Sequence, residues 1–424
     1  MSMRRRDFLR MGSAGLVLAA AGCASPGGGS AKAKARRVVV VGGGFGGATV
    51  AKYVRTLDPS VEVVLVEPNE SFVSCPMSNL VLGGFRKLSD VTLSYDGLAK
   101  YGVRRVRDAA VAVDVERRQV RLAHGDPIAF DRAVVAPGVE FMWDALPALS
   151  SEAARADLLH AWKAGPQTLA LRQRLEAMPD GGVYVLSIPE APYRCPPGPY
   201  ERACQVAAYF KVAKPRSKVI VLDANPDVVS KGALFKKAWA ELYPGIVEYR
   251  PNSKAVDVDL RAGVVKLEFD DVKGDVLNVI PPMKAGSIAA PFVTANGRWC
   301  EVDWTTYASK VAPEVHLLGD ALQVAPLMPK SATMANAQGK VCAAAVVALL
   351  AGEAPNPAPT LVNTCYSMVS DALAIHVASV HRYDVTARTM KTVPGSGGLS
   401  AAMNAPEGLY AQNWARNIWA DTLG

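Results

Sequence analysis

Four consecutive valines, Val38 to Val41, follow Arg36-Arg37 and stop at the turn Gly42-Gly-Gly-Phe-Gly-Gly47. An unbroken β-branched run of this kind predicts a parallel strand buried on both faces. The stretch after the turn, "GATVAKYVRTL", is amphipathic at helical spacing, and a second apolar run, Val61-Glu-Val-Val-Leu-Val66, ends at Glu67. Further runs predict strands in "FDRAVVAPGVE" (Phe130 to Glu140), at Gly182–Ile188, at Lys218–Leu222 with Asp223 behind it, and in "VHLLGDA" (Val315 to Ala321). A Pro-punctuated loop, "PLMPK", leads into an Ala-rich helix, and "GEAPNPAPT" (Gly352 to Thr360) reads as a linker. Strands alternating with helices in this way predict an α/β fold built on parallel sheets.

The first of these units has a nucleotide's chemistry. Gly42-x-Gly44-x-x-Gly47 supplies a tight turn, a backbone that a pyrophosphate can approach and close helix–strand packing. The helix N-terminus adds unpaired N–H groups, and Glu67 at the second strand's end can accept hydrogen bonds from a ribose. The "APG" at Ala136–Gly138 is like the crossover by which two-domain flavoproteins leave their FAD domain. Asp320, closing a strand in "LLGDA", stands where such proteins set a carboxylate on the ribityl chain, with a helix cap as its plain alternative. Lys330, ahead of the Ala-rich helix, can add positive charge near the flavin pyrimidine or simply be a solvated helix-start lysine.

Composition sets the class. The chain has 424 residues, half of them apolar, enough for two or three domains with several buried cores and too apolar for a disordered protein. Part of its net charge of +8 lies near the start, in Arg4, Arg5, Arg6 and Arg10 against Asp7, and the remainder is too scattered for nucleic acid. That start, residues 1–30, reads as a leader with a basic region, a short apolar stretch and small residues. Arg5-Arg6-Asp7-Phe8-Leu9-Arg10 resembles the twin-arginine consensus, implying export of a folded protein to the periplasm, with lipidation at Cys23 as a minor alternative. No later run reaches the ~18 consecutive apolar residues of a span, so no membrane segment is expected.

In an oxidising compartment Cys75, Cys195, Cys204, Cys300, Cys342 and Cys365 can pair, but spacing does not choose among the pairings. There is no Cys-x-x-Cys for a zinc knuckle and no Cys-x-x-Cys-His for a c-type haem, so no metal site and no haem is expected on this chain. Where a second βα turn would hold a nicotinamide nucleotide, the chain reads "PEAPYRCPPGP" (Pro189 to Pro199). Prolines lack N–H donors and only Gly198 lets a backbone come close, so nicotinamide binding is expected to be lost.

Four separated motifs, "SCPMSNLVLGG", "YRCPPGPYERA", "MPKSATMANAQGK" and "LVNTCYS", resemble the flavoprotein subunit of flavocytochrome c sulfide dehydrogenase, from about Arg36 to the closing "EGLYAQNWARNIWADTLG". The resemblance implies a redox-active disulfide between Cys195 and Cys365, a covalent link from Cys75 to FAD, sulfide as substrate and a c-type cytochrome subunit as partner. It implies that sulfide attacks the disulfide, giving a persulfide and a thiolate, and that electrons leave the flavin singly. A purely structural Cys195–Cys365 bridge is the alternative for the pair. The implied fold is a two-domain FAD/NAD(P)-type, doubly wound, disulfide-reductase-like flavoprotein with a C-terminal extra domain. Its FAD-binding parts would span 36–149 and 286–350, a vestigial NAD-like domain 150–285, and a flavin-covering, partner-binding part 351–424. Sulfide:quinone oxidoreductase is the nearest rival reading. A non-turnover flavoprotein that activates a sulfur-oxidising complex is a reading of another class. A type-II NADH dehydrogenase or a pyridine-nucleotide disulfide reductase is disfavoured by the missing second glycine turn.

Overall fold

The computed structural model describes residues 36–424, so the leader, with Arg5, Arg6 and Cys23, lies outside the described residues. Val38, Val39 and Val40 are wholly buried because Arg37–Val41 (β1) is the middle strand of a parallel sheet. The turn delivers the chain into Phe45–Leu57 (α1), and Glu62–Val66 (β2) returns in parallel register with Val38 opposite Val63. Val103–Val106 (β3) adds outside β2, and Arg132–Val135 (β4) pairs with the other edge of β1.

Val139–Phe141 (β5) then leaves this layer. A second parallel sheet begins at Val183–Ile188 (β6), followed by Gly198–Ala213 (α2), Lys218–Asp223 (β7), Gly232–Leu242 (α3), Val247–Arg250 (β8) and Val276–Val279 (β9). Its strand order is β8-β7-β6-β9. Met283–Ala285 (β10) runs antiparallel to β5, with Met283 opposite Phe141, so one two-stranded ribbon carries the chain out of the first layer and back. Val315–Leu317 (β11) joins β4 and completes the first sheet in the order β11-β4-β1-β2-β3.

Ala332–Ala351 (α4) is the Ala-rich helix expected after the Pro-punctuated loop. Although no unbroken apolar run exists there, this helix is long and apolar enough to span a membrane by length and composition, with a mean hydropathy of 1.4 over its most apolar window. Half of that window is buried in the protein. Polar residues inside the helix explain the difference: Asn336 Nδ2 donates to Thr49 Oγ1 of α1 (2.9 Å), and Gln338 Oε1 accepts from the Gly319 N–H (2.8 Å). Both are buried and tie α4 into the interior.

The last part is an antiparallel sheet of Thr360–Met368 (β12), Ala374–Asp384 (β13) and Thr389–Thr392 (β14), closed by Ala405–Leu423 (α5). Its final turn is anchored on the first layer. Lys52 Nζ donates to the Ala420 and Asp421 carbonyls, both at 3.1 Å, where a cation also complements the helix dipole. The Asp421 carboxylate accepts from Tyr53 Oη (2.6 Å) and Asn336 Nδ2 (2.8 Å) and pairs with Lys340 Nζ (2.7 Å). Asp421→Ala removes an acceptor from each of these three donors, so urea denaturation should show a loss of about 1–3 kcal/mol; an unchanged midpoint would show that the anchor contributes nothing.

Candidate functional site

The first glycine turn is built as a nucleotide cradle. Gly42 has φ +95°, and a Cβ on Gly47 would stand 1.9 Å from the Gly42 carbonyl oxygen, so the first position needs the left-handed backbone and the last needs no side chain. A Cβ on Gly44 would meet nothing within 4 Å, which leaves that face of the turn open. Glu67 is buried, with Oε2 accepting from the Gly43 N–H (2.7 Å) and Oε1 from the Asn69 N–H (2.8 Å) and Nδ2 (2.6 Å). Asp320 Oδ1 is buried with no partner, and burial raises its carboxyl pKa. A buried acceptor without a donor is costly, and a ligand hydroxyl would satisfy it.

The second βα turn is shaped for a different purpose. Cys195 has φ +57°, a left-handed backbone uncommon for a residue with a Cβ. Two bonds hold it: its N–H donates to the Lys330 carbonyl (2.8 Å), and its own carbonyl accepts from the Gly198 N–H (2.9 Å). A Cβ on Gly198 would collide with Trp162 Cη2 at 2.8 Å and Cys195 Sγ at 3.0 Å. The space beside the turn's one glycine is therefore filled by an indole and a sulfur. Asp223, at the end of β7, is likewise occupied: it is buried and accepts from Tyr200 Oη (2.7 Å) and Tyr249 Oη (2.9 Å).

Cys75, Cys195 and Cys365 line one small cavity, together with the first residues of α2 and α4. The three come from the first layer, the Pro-rich loop and strand β12, where Cys365 lies opposite Val377. Arg194 Nη2 donates to Cys75 Sγ (3.3 Å) and also contacts the Trp162 carbonyl. Glu201, on α2, accepts from the Met368 N–H (2.7 Å) and Asn79 Nδ2 (2.8 Å), and burial raises its pKa. Arg202 is enclosed, donating to Asn79 Oδ1, Asn278 Oδ1 and the His160 and Ala161 carbonyls. From the loop before α3, Lys231 Nζ reaches the Cys365 carbonyl (3.1 Å) and Ser367 Oγ (2.8 Å). Burial pushes the Cys195 thiol well above its ordinary range, with Cys365 adding to the effect. Cys365 is raised too, but Lys231 opposes the shift.

The structure thus gathers the three cysteines and keeps the glycine turn, Glu67 and Asp320 on the first layer. It rules out one of the two expectations for Lys330, that of a solvated helix-start lysine. This lysine is buried, donates to the Asp320 carbonyl (2.9 Å) and contacts the Leu322 carbonyl, and lies 3.6 Å from the Trp299 ring centroid. Burial lowers its pKa to about 7, so it is neither solvated nor a strong cation. Cys195 and Cys365 are free thiols here rather than a closed bridge; a redox-active pair passes through both forms. Cys204, Cys300 and Cys342 are buried and lie outside the cavity lining. The sequence reading did not single out Arg194, Glu201, Arg202, Lys231 or Trp162. Three of them lie inside the quoted motif "YRCPPGPYERA", which was the one available signal.

Comparison with known proteins agrees with this geometry. The family described as sulfide dehydrogenase [flavocytochrome c] flavoprotein chain, central, matches residues 168–281; flavocytochrome c sulphide dehydrogenase, flavin-binding, matches 357–423; pyridine nucleotide-disulphide oxidoreductase matches 36–165. The sulfide dehydrogenase [flavocytochrome c] flavoprotein chain of Chlorobaculum thiosulfatiphilum is 70% identical over 37 residues, 9% of this chain and 77% of that one. Mitochondrial sulfide:quinone oxidoreductase of Mus musculus is 24% identical over 314 residues, 68% of this chain, and the match spans 65% of the mouse protein's length. The sulfide:quinone oxidoreductase structure from Aquifex aeolicus superposes with a TM-score of 0.73 at 17% identity, covering 92% of each chain. That likeness establishes an α/β, disulfide-reductase-like fold.

One wall of the cavity, Ala161-Trp162, depends on a neutral histidine. His160 Nδ1 accepts from the Trp162 N–H (3.0 Å), and burial, with Lys163, Arg202 and Arg194 nearby, lowers its pKa from 6.5 to about 3. Below pH 6.5 the unfolded chain binds this proton and the folded chain does not, so acidification favours unfolding. Lowering the pH from 6.5 to about 4 should cost about 3 kcal/mol through this group. Denaturation of wild type and His160→Asn across that range should show a shallower pH dependence in the variant; parallel curves would remove His160 from the account.

Proposed function

This chain belongs to the flavocytochrome c sulfide dehydrogenase flavoprotein family, and on that footing we propose that it oxidises sulfide at the Cys195–Cys365 pair, with FAD as cofactor and a c-type cytochrome subunit as electron acceptor. The observation that carries this reading is the convergence of Cys75, Cys195 and Cys365 on one cavity from three distant parts of the chain. The Gly42–Gly47 turn, Glu67 and Asp320 would hold FAD, whose bound form takes up an electron pair and passes electrons on singly. The open face at Gly44 and the unpartnered Asp320 oxygen fit a pyrophosphate and a sugar-type hydroxyl.

The protein's own groups then have definite tasks. In the closed form of the pair, HS⁻ attacks a disulfide sulfur, leaving a persulfide on one cysteine and a thiolate on the other. Arg194 and the N-terminus of α2 make the cavity favourable to an anion. Cys75, held beside Arg194, is the residue for a covalent FAD link. The second domain is poorly suited to a nicotinamide nucleotide: its turn has few N–H donors, Trp162 and Cys195 lie against Gly198, and two tyrosines hold Asp223. With no Cys-x-x-Cys-His on this chain, the cytochrome haem belongs to a partner chain. The twin-arginine-like leader supports a periplasmic location, where such a cytochrome is available.

The likeness to sulfide:quinone oxidoreductases favours a second reading in which the same cysteine chemistry feeds a quinone. Sulfide-dependent reduction of a soluble cytochrome c rather than a quinone analogue supports the first reading, and the reverse result supports the second.

Cys195→Ser and Cys365→Ser should each abolish anaerobic bleaching of the flavin by sulfide while leaving the protein folded and yellow, and NADH should bleach none of the three proteins. A variant that keeps its sulfide response but unfolds earlier would identify a structural bridge instead. After acid precipitation, the flavin colour should stay with wild-type protein and enter the supernatant with Cys75→Ala. Colour wholly in the wild-type supernatant would refute the covalent link.

A further inference from the structure

Lys231 is a buried lysine with no salt bridge among the described residues, and burial lowers its pKa. It sits at the entry to α3 with φ +58°, is 4% exposed, and donates to two neutral acceptors, the Cys365 carbonyl and Ser367 Oγ. Among the described residues no carboxylate closes a salt bridge with it. Burying a cation in this way is costly unless an opposite charge develops nearby. The charged and titratable groups that face it are Cys365 on β12, Glu201 on α2, Cys195 in the Pro-rich loop and Glu407 on α5. Both Glu201 oxygens are already engaged, by the Met368 N–H and Asn79 Nδ2. Glu407 is bonded to Ser400 Oγ, His376 Nδ1, the Asn404 side chain and, through its N–H, the Asn404 cap. Arg194 faces Cys75 and Cys195 from the other side of the cavity. Glu201 balances Lys231 in part from beyond salt-bridge distance, and Cys365, whose carbonyl Lys231 already holds, is the foremost group on which a further negative charge would stabilise the ammonium.

We propose that Lys231 is a positioning residue that fixes the roles of the two cysteines, making Cys365 the sulfur that leaves as thiolate and Cys195 the sulfur that sulfide attacks. The inference rests on the reading of Cys195 and Cys365 as a redox disulfide. As HS⁻ bonds to Cys195 Sγ, the Cys195–Cys365 bond breaks and its electron pair leaves on Cys365 Sγ. The proton stays on the added sulfur, so Cys195 carries S–SH and Cys365 carries the negative charge beside Lys231. A disulfide opens faster toward the better-stabilised thiolate, and Lys231, held on the Cys365 carbonyl and Ser367 Oγ and influenced by Cys365 more than by Cys195, favours charge on Cys365 and makes the pair directional. Lys231 is supplied by the loop after β7, so the second parallel-sheet domain contributes this group to the site.

The test uses the full-length, FAD-loaded protein. In reduced protein, timed iodoacetamide pulses from pH 6 to 10 with peptide mass spectrometry give separate alkylation rates for the two cysteines. Wild-type Cys365 should react roughly tenfold faster than Cys195 at pH 8, with the lower pH midpoint. Lys231→Met should erase that preference, and Lys231→Arg should restore most of it. In oxidised protein given one equivalent of sulfide, the extra sulfur should lie on the Cys195 peptide in wild type and on both peptides in Lys231→Met. Faster wild-type alkylation of Cys195, or extra sulfur on Cys365, overturns the assignment whether or not the variants fold. So does a Lys231→Met protein whose rates and midpoints match wild type. The underlying disulfide reading is judged separately: if both cysteines alkylate before any reductant is added, that reading fails.

Discussion

The hydrogen bond from the Cys195 N–H to the Lys330 carbonyl, at 2.8 Å, joins the Pro-rich loop to the segment that opens α4. The cavity geometry follows from it. It holds Cys195 in a left-handed conformation, which turns its sulfur against Gly198 at the start of α2 and toward the ends of β12 and the first layer. A proline-rich turn suits this task because it donates few N–H groups of its own and is stiff. Those features disqualify it as a phosphate cradle. They equip it to present one sulfur at a fixed point.

The parts of the fold set by local rules were legible in the chain. Val38 to Val41 read as a buried strand because nothing polar interrupts them, and Gly42 and Gly47 announced a turn that only glycine can make. The loop at Pro189 to Pro199 declared what it could not bind through its missing donors. What stayed hidden was decided by tertiary contact. Lys231 follows an ordinary-looking "NPDVVS" and becomes a site residue only because β12 passes its side chain. The carbonyls of Asp320 and Leu322 and the Trp299 ring, which hold Lys330, were equally out of reach of the sequence. In α4 the sequence marked an Ala-rich helix, but not that Asn336 and Gln338 bond into the interior.

The second parallel sheet turns its polar end inward. Its four strands run parallel, and the carboxylate at the end of β7 is bound by the protein's own tyrosines. Two phenolic hydroxyls satisfy Asp223 in the buried interior, so the acid costs little to retain and stiffens the base of α2, where Tyr200 resides. Stiffness there matters because α2 also carries Glu201 and Arg202 to the cavity wall.

The anchoring of α5 ties the cavity to the first layer through a single helix. Lys52 takes its acceptors from Ala420 and Asp421, and Ser74, next to Cys75, accepts a hydrogen bond from Trp419 Nε1 at 2.8 Å. Trp414 of the same helix lines the cavity, so residues more than three hundred positions apart share one wall. Loosening α5 would therefore open the site from its C-terminal side, and anything that steadies this helix also steadies the surroundings of Cys75.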